Sequence, residues 1–190
     1  DGAPWGRRAG VETVALNGSF YLVGGRTPNR FTPFPQGPIP GDSTIWGDVW
    51  RSDDSGATWT EALSTEASPW PARSYHEVVV QGDRMVLLGG QNFIVEPNPA
   101  CGQNPVCYPR FVSRSDFFND VWASSDGANW TQLTADAPWE ERAGLSAAVL
   151  NGEIYVMGGS VNDDASIVGG PPTRQLFNDV WESADGVNWT

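Results

Sequence analysis

The sequence predicts an all-β protein built from three copies of one four-stranded unit. The segment at 177–190 reads FNDVWESADGVNWT, and it recurs as FNDVWASSDGANWT at 118–131 and as WGDVWRSDDSGATWT at 46–60. The alternating Val/Trp run is typical of a strand, and the Asp/Gly cluster is typical of a tight hairpin turn. The chain is rich in Gly (22), Pro (15) and Trp (10), and we find no long segment of helical period. These observations favour a turn-rich β fold made of repeats.

Each hairpin belongs to a longer repeat that opens with Pro-Trp-x-x-Arg. An apolar strand A follows the arginine, and a second apolar strand B ends in two glycines. Strand C contains Asp-Val-Trp, and strand D starts after Trp-Thr. Strands A and B are nearly continuous apolar runs, as expected of strands covered on both faces, so the units must stack. The predicted units span about 4–67, 68–136 and 137–190, the last with an incomplete strand D.

These features resemble a kelch β-propeller over essentially the whole chain. The resemblance rests on the repeated arginines, the double glycines at 24–25, 89–90 and 158–159, and the spaced tryptophans Trp59, Trp130 and Trp189. It implies a β-propeller of kelch type with three four-stranded antiparallel blades, forming part of a six- or seven-bladed ring. The further blades would come from the same longer chain, which we favour, or from a second copy.

The turn between strands C and D carries a second resemblance. Residues 52–59, SDDSGATW, match the Asp-box pattern S-x-D-x-G-x-x-W of sialidases and other secreted propellers. The copies that begin at Ser124 and Ser183 are one residue shorter. In those families the box is a structural turn and not a catalytic site, so the resemblance implies a framework role.

Charge and cysteine content narrow the function and the location. The net charge of −12 repels phosphate backbones, which argues against nucleic-acid binding. All eleven basic residues are arginine, which excludes Schiff-base chemistry on a lysine. No apolar run is long enough to insert into a membrane. Cys101 and Cys107 predict a local disulfide, with two free thiols as the alternative, and a disulfide favours an extracellular, periplasmic or cell-surface location.

We expect ligand binding on the face where the D–A and B–C loops of a kelch-like blade emerge together. The B–C loops, at about 26–46, 91–118 and 160–177, differ from one another while the framework repeats, and such variable loops are where binding usually resides. The tryptophans that open the repeats would be partly exposed there and suit sugar stacking or protein contacts. The candidate ligand-binding residues are Trp5, Arg8, Trp70, Arg73, Tyr75, Tyr108, Arg110, Trp139 and Arg142.

The three arginines also have a second interpretation, which we favour. They could converge on a carboxylate ligand, as in sialidases, because the guanidinium fork suits bidentate binding. An arginine repeated at one offset is more simply explained by pairing with the repeated aspartates of strand C, Asp48, Asp120 and Asp179.

Three titratable residues of strand A need separate interpretation. The sole histidine, His76, is interpreted as a hydrogen-bonded strand residue near the propeller axis. Glu12 and Glu77 occupy matching positions, where they could line the channel or bind a cation such as Ca²⁺ together. We expect no other cofactor and no dedicated metal site.

The sequence therefore predicts a non-enzymatic interaction propeller that binds a protein or a glycan through its loop face. The alternative is the propeller domain of a carbohydrate-active enzyme, sialidase-like or galactose-oxidase-like, with its catalytic residues in long loops or further blades. We assign no catalytic residue, because no complete catalytic set occurs in the repeats. A deep pocket with converging Arg, Asp/Glu and Tyr would favour the enzyme, and a shallow Trp-lined surface would favour binding.

Overall fold

The computed structural model describes residues 2–28, 43–104, 106–107, 111–161 and 174–190. The first ten strands are β1 (Glu12–Leu16), β2 (Ser19–Pro28), β3 (Ser43–Ser52), β4 (Thr60–Leu63), β5 (Glu77–Gln81), β6 (Arg84–Leu88), β7 (Gln91–Pro97), β8 (Phe111–Phe117), β9 (Val121–Ser124) and β10 (Thr131–Thr134). The remaining strands are β11 (Ser146–Leu150), β12 (Glu153–Met157), β13 (Ser160–Val161), β14 (Gln175–Leu176) and β15 (Val180–Ser183). Two short 3₁₀ turns span Thr65–Ala67 and Pro99–Cys101.

Three antiparallel sheets form the blades. Blade 1 has the strand order β1-β2-β3-β4, blade 2 has β5-β6-β9-β10, and blade 3 has β11-β12-β15. In each blade these strands are A, B, C and, where it is present, D. The A–B turns of blades 1 and 3 are Asn-Gly pairs with positive φ at both residues, which matches the right-handed twist of a two-residue hairpin. The predicted all-β fold of four-stranded antiparallel blades is confirmed.

Each B–C connection begins as a two-stranded ladder that continues beyond its blade. In blade 1, β2 and β3 stay paired from Gly25↔Trp46 to Pro28↔Ser43. In blade 2 the ladder is β7–β8, and in blade 3 it is the short pair β13–β14. Beyond β7, Cys101 and Cys107 form a disulfide, which confirms the predicted pairing.

Apolar side chains on facing sheets hold the blades together. One buried cluster joins blades 1 and 2, with Val23 and Val49 packed against Met85 and Leu87. A second cluster joins blades 2 and 3, with Val86 and Val121 from blade 2. Strand β5 contacts both β1 and β11, so the three A strands are neighbours. No single sheet could bury its apolar faces alone, which is why the three units stack.

The C–D turn of each following blade packs directly on the blade before it. A Cβ added at Gly127 in blade 2 would lie 2.7 Å from the ring of Tyr21 in blade 1. A Cβ at Gly186 in blade 3 would lie 2.7 Å from Leu133 in blade 2. Both glycines have φ near +78°, so any other residue would meet both a steric clash and an unfavourable backbone.

Candidate functional site

In each blade the repeated arginine forms a bidentate ion pair with the aspartate of Asp-Val-Trp. We call this pair the Arg–Asp joint. In blade 2, the two terminal nitrogens of Arg73 donate to the two carboxylate oxygens of Asp120 at 2.5 and 2.9 Å, and Nη1 also donates to the Gly89 carbonyl. The guanidinium carbon lies 4.2 Å from the ring centroid of Phe118. Nε donates to the Pro71 carbonyl. A bidentate Arg–carboxylate ion pair is among the strongest hydrogen-bonded interactions in proteins, and here further N–H groups of the guanidinium also have partners.

Blades 1 and 3 repeat this joint with Arg8–Asp48 and Arg142–Asp179. All three arginine side chains are at most 2% exposed. The hydrogen bond from Arg142 lowers the pKa of Asp179 to about 2, although burial acts in the opposite direction. The donors of all three arginines are committed to the framework, which confirms the pairing with the repeated aspartates and corrects the assignment of these arginines as ligand-binding candidates.

Two of the three motif tryptophans belong to the core. Trp70 is 3% exposed and Trp139 is 1% exposed, which corrects the expectation that they are partly exposed. Trp70 packs edge-on against Trp130 at 4.7 Å, and Trp139 packs against Trp189 at 4.3 Å, a favourable geometry that buries two large rings together. Trp5 makes the same contact with Trp59 at 4.7 Å but stays half-buried, so it keeps its place as a candidate.

The C–D turns are closed by their own side chains. In blade 2, one carboxylate oxygen of Asp126 accepts from the backbone of Ala128 and Asn129, and the Ser124 hydroxyl accepts from Gly127. The indole of Trp130 donates to the Gly127 carbonyl. Burial opposes ionisation, but the hydrogen bonds from Asn129 and Ala128 lower the pKa of Asp126 to about 2. Blade 3 repeats the arrangement, so these acids serve the turn.

Blade 2 departs from the repeat at Tyr75. The matching residues in blades 1 and 3 are Gly10 and Gly144, and all three have φ between +54° and +61°. The Tyr75 backbone N–H donates to Gly10 and its carbonyl accepts from Gly144. A tyrosine in this left-handed region is strained, and its neighbours in the two adjacent blades hold it there. Its side chain is 36% exposed, so it stays a candidate.

The next residue, His76, is fully buried. A Cβ added at Gly24 or Gly90 would come within 2.9 Å of it, so both glycines are required beside it. Neither ring nitrogen makes a hydrogen bond to a described residue, which corrects the expected hydrogen-bonded histidine. Burial and then the charge of Arg73 lower the pKa of His76 to about 3, whereas the nearby Val23 backbone acts the other way, outside ordinary hydrogen-bond geometry. The imidazole is therefore neutral at neutral pH.

Glu12 and Glu77 begin the neighbouring inner strands β1 and β5. Burial and then the charge of Glu12 raise the pKa of Glu77 to about 7. Burial also raises the pKa of Glu12. The carboxyls of Glu12 and Glu77 therefore carry less than two negative charges between them at neutral pH. Among the residues that the structure describes, no group of three or more His, Cys, Asp or Glu could hold a metal ion.

A cavity of about 640 Å³ lies on the loop face between blades 2 and 3. It is formed by the D–A loop that joins these blades and by residues at the ends of two B–C connections; the lining residues are Asn119, Asp136, Ala137, Pro138, Trp139, Glu140, Glu141 and Val161. The Asn119 amide holds the D–A loop in place by donating to Asp136 at 2.7 Å and to two carbonyls of the loop. The titratable residues in the lining are all acidic. Burial, Asp136 and Asp116 raise the pKa of Glu141.

Among the described residues, Trp139 is the one predicted residue that lines this cavity. Tyr108 and Arg110 lie outside the described residues, Trp5 lies before strand A of blade 1, and Tyr75 lies in the D–A loop between blades 1 and 2. The sequence analysis missed Glu140 and Glu141. A signal was present, because the two residues inside Pro-Trp-x-x-Arg are Gly-Arg in unit 1, Pro-Ala in unit 2 and Glu-Glu in unit 3.

One comparison with known proteins matches part of the third repeat. No helix in the described ranges is both long and apolar enough to cross a membrane. No curated protein matches the sequence at a significant level. The solved structure of YjhT is similar to the chain with a TM-score of 0.43 and 13% sequence identity, covering 94% of this chain and 69% of that one. The family model described as Kelch motif matches residues 141–182, a segment that runs from the Arg142 joint through the double glycine to strand C of blade 3, and the four-stranded antiparallel sheets are consistent with this match.

Proposed function

We propose that this protein is a non-enzymatic binding module that holds a protein or a glycan on its D–A and B–C loop face. The cavity between blades 2 and 3 carries this proposal. It combines the repeated D–A loop with the variable B–C connections, which is where a repeat scaffold usually binds its ligand. The partly exposed residues Trp5 and Tyr75 lie just before strand A of blades 1 and 2 and extend the candidate surface.

The chemistry of the cavity supports a ligand rich in hydrogen-bond donors. The side chains of Glu140 and Glu141 are exposed beside it, and carboxylates accept hydrogen bonds from sugar hydroxyls or from basic side chains of a protein. The buried Trp139 forms part of the wall. Such a lining repels anionic ligands such as phosphates and sialic acids.

An extracellular, periplasmic or cell-surface location fits this function. The Cys101–Cys107 disulfide supports an oxidising compartment. The C–D turns are closed by contacts among Ser, Asp, Gly and Trp, and we propose that they are full or shortened Asp-box turns. Such turns are a feature of secreted propellers, and they serve the framework.

A carbohydrate-active enzyme is the second candidate, favoured by one observation. Glu12 and Glu77 form a carboxylate pair in which one pKa is about 7, as a general acid requires. Assay of nitrophenyl glycosides would decide between the two. We expect no hydrolysis, and turnover that is lost in the Glu77→Gln variant would replace the binding proposal with the enzyme.

The binding proposal is tested by presenting the chain to an array of neutral and acidic glycans and to a panel of basic and acidic peptides. We expect binding to neutral glycans or basic peptides, weakened at least tenfold by the double substitution Glu140→Gln and Glu141→Gln. Glu61→Gln, on the outer strand β4, is the matched control and should bind as the wild type does. Equal binding by the cavity variant would exclude the cavity as the site.

A further inference from the structure

The cavity between blades 2 and 3 has an excess of negative charge that the framework does not have. In the framework, the guanidinium of Arg73 compensates the carboxylate of Asp120. The described residues that line the cavity include the acids Asp136, Glu140 and Glu141 and contain no arginine. A molecule that enters the cavity therefore meets several negative charges and no positive one.

The cavity carboxylates are held by uncharged donors. The amide of Gln175, on β14, donates to Glu140 at 3.0 Å, and an amide rather than a cation also holds Asp136. Burial and then the charges of Asp136 and Asp116 raise the pKa of Glu141. Like charges so placed are unfavourable for one another, and a bound cation would relieve that repulsion.

The arginines in the neighbouring segments are already engaged. Arg142 is turned inward to its joint with Asp179. Arg114, on β8, pairs with two acids of the β7–β8 ladder. Arg174, just before β14, also has an interaction partner. A ligand can therefore supply the positive charge that the lining lacks.

The apolar part of the lining fits a side chain that has an apolar stem. Val161 of β13 and Gln175 of β14 are directly paired across their ladder, so their side chains lie on the same face of it. That face borders Glu140. Ala137 and Pro138 add apolar surface from the D–A loop. Lysine and arginine combine an apolar stem with a charged end.

A neutral glycan fits this lining less well than a basic side chain does. The aromatic residue of the lining, Trp139, offers no open ring face for stacking, because it is 1% exposed and packs on Trp189. A neutral ligand would also remove water from Glu140 and Glu141 without compensating their charge, which is unfavourable. A cation compensates that charge through charge-assisted hydrogen bonds.

We propose that this cavity binds an arginine or lysine side chain of a protein partner, with Glu140 and Glu141 as the acidic anchors. The inference rests on the binding function proposed above and identifies its partner as a protein with an exposed basic segment. The cavity volume of about 640 Å³ lies within the range of about 300–1,000 Å³ that is usual for ligand pockets. One basic side chain and part of its neighbours can therefore enter.

Selection from a phage-displayed library of short random peptides, with the whole chain immobilised, tests this inference. The wild type should enrich peptides that contain arginine or lysine. The charge-reversed variant Glu140→Lys with Glu141→Lys should enrich peptides that contain aspartate or glutamate. It should also bind the peptides selected by the wild type at least tenfold more weakly. Added salt should weaken binding to both proteins, because charge pairs near the surface are screened.

Two further variants serve as controls. Glu61→Lys with Asp83→Lys makes the same change in net charge at exposed residues outside the cavity, and it should bind the selected peptides as the wild type does. If the charge-reversed variant melts below the wild type, Glu140→Gln with Glu141→Gln replaces it and should also weaken binding at least tenfold.

The outcomes separate this inference from the proposed function. Equal weakening in the control variant would show a general attraction to an acidic chain and would overturn the inference, as would wild-type selection of peptides without basic residues. Binding of neutral glycans that is lost in the glutamine variant, without any selected peptide, would overturn the inference and leave the proposed function in place. A chain that binds neither peptides nor glycans would overturn both.

Discussion

The Arg73 joint and the segment from Tyr75 to Glu77 lie two residues apart in blade 2, yet they follow opposite rules. The joint is repeated in all three blades, and each of the three guanidinium nitrogens donates at least one hydrogen bond within the blade. The segment departs from the repeat at Tyr75 and His76, whereas Glu77 recurs as Glu12 in blade 1 but not in blade 3. It contains a tyrosine with a left-handed backbone, an imidazole without a hydrogen bond to the described residues, and a carboxyl with a pKa of about 7.

This difference separates residues that stabilise the blades from residues that cost stability. Repetition selects contacts that every blade needs, whereas a strained or desolvated group persists only where its surroundings hold it. Function should therefore be sought where the repeat is broken. The same reasoning applies to Glu140 and Glu141 in the cavity, since neither recurs in the other blades.

The largest effect should come from breaking a joint. Arg73→Leu leaves the Asp120 carboxylate nearly buried without its partner, and we expect the free energy of unfolding to fall by about 3–5 kcal/mol, as measured by urea denaturation. The matched control is Arg51→Leu, whose ion pair with Asp53 is exposed and should contribute only about 0–1 kcal/mol. Equal losses in the two variants would show that the joint is not the centre of the framework.

A smaller, pH-dependent effect should come from Glu77→Gln. In the folded chain the pKa of Glu77 is about 7, raised from 4.5 by burial and by Glu12. Between these two values the folded state binds more protons than the unfolded state, so this group makes stability fall as the pH rises from 4.5 to 7. The glutamine variant should melt at a higher temperature than the wild type at pH 8, with little difference at pH 4.5.

The control for this measurement is Glu61→Gln on the outer strand β4. It should leave the difference in melting temperature between the two pH values as it is in the wild type. A Glu77→Gln variant with the same pH profile as the wild type would mean that the pKa of Glu77 is not raised in the folded chain.

The smallest effect should come from Tyr75→Gly, which gives blade 2 the residue of the other blades. The substitution removes a backbone strain of about 1–3 kcal/mol. It also loses the ring contact with Arg26. The extra conformational freedom of glycine in the unfolded chain lowers stability by about 0.5–1 kcal/mol. The free energy of unfolding, measured by thermal denaturation, should change by no more than about 1 kcal/mol. Gly144→Ala at the same φ should destabilise the chain. A larger loss in Tyr75→Gly would place Tyr75 in the framework.

Much of the fold could be predicted because the repeat displays its own framework. Three arginines and three aspartates at fixed positions in the pattern indicate a pair, and the spacing of the two cysteines indicates a local disulfide. The burial of Trp70 and Trp139 could not be predicted, because each is covered by a tryptophan about 50–60 positions later in the chain. The cavity was missed for a related reason, since it lies between two repeat units and belongs to neither pattern.

The Arg–Asp joint has a consequence for how such a chain can change. Its two residues are 40, 47 and 37 positions apart in the three blades, yet both always belong to the same blade. A duplicated unit therefore inherits a complete joint and needs no partner elsewhere to stabilise it. The segment between the double glycine and strand C can also lengthen or shorten without disturbing that joint. Each B–C connection is thus a natural graft site, where a foreign loop could be exchanged while the blade beneath it keeps its polar contacts.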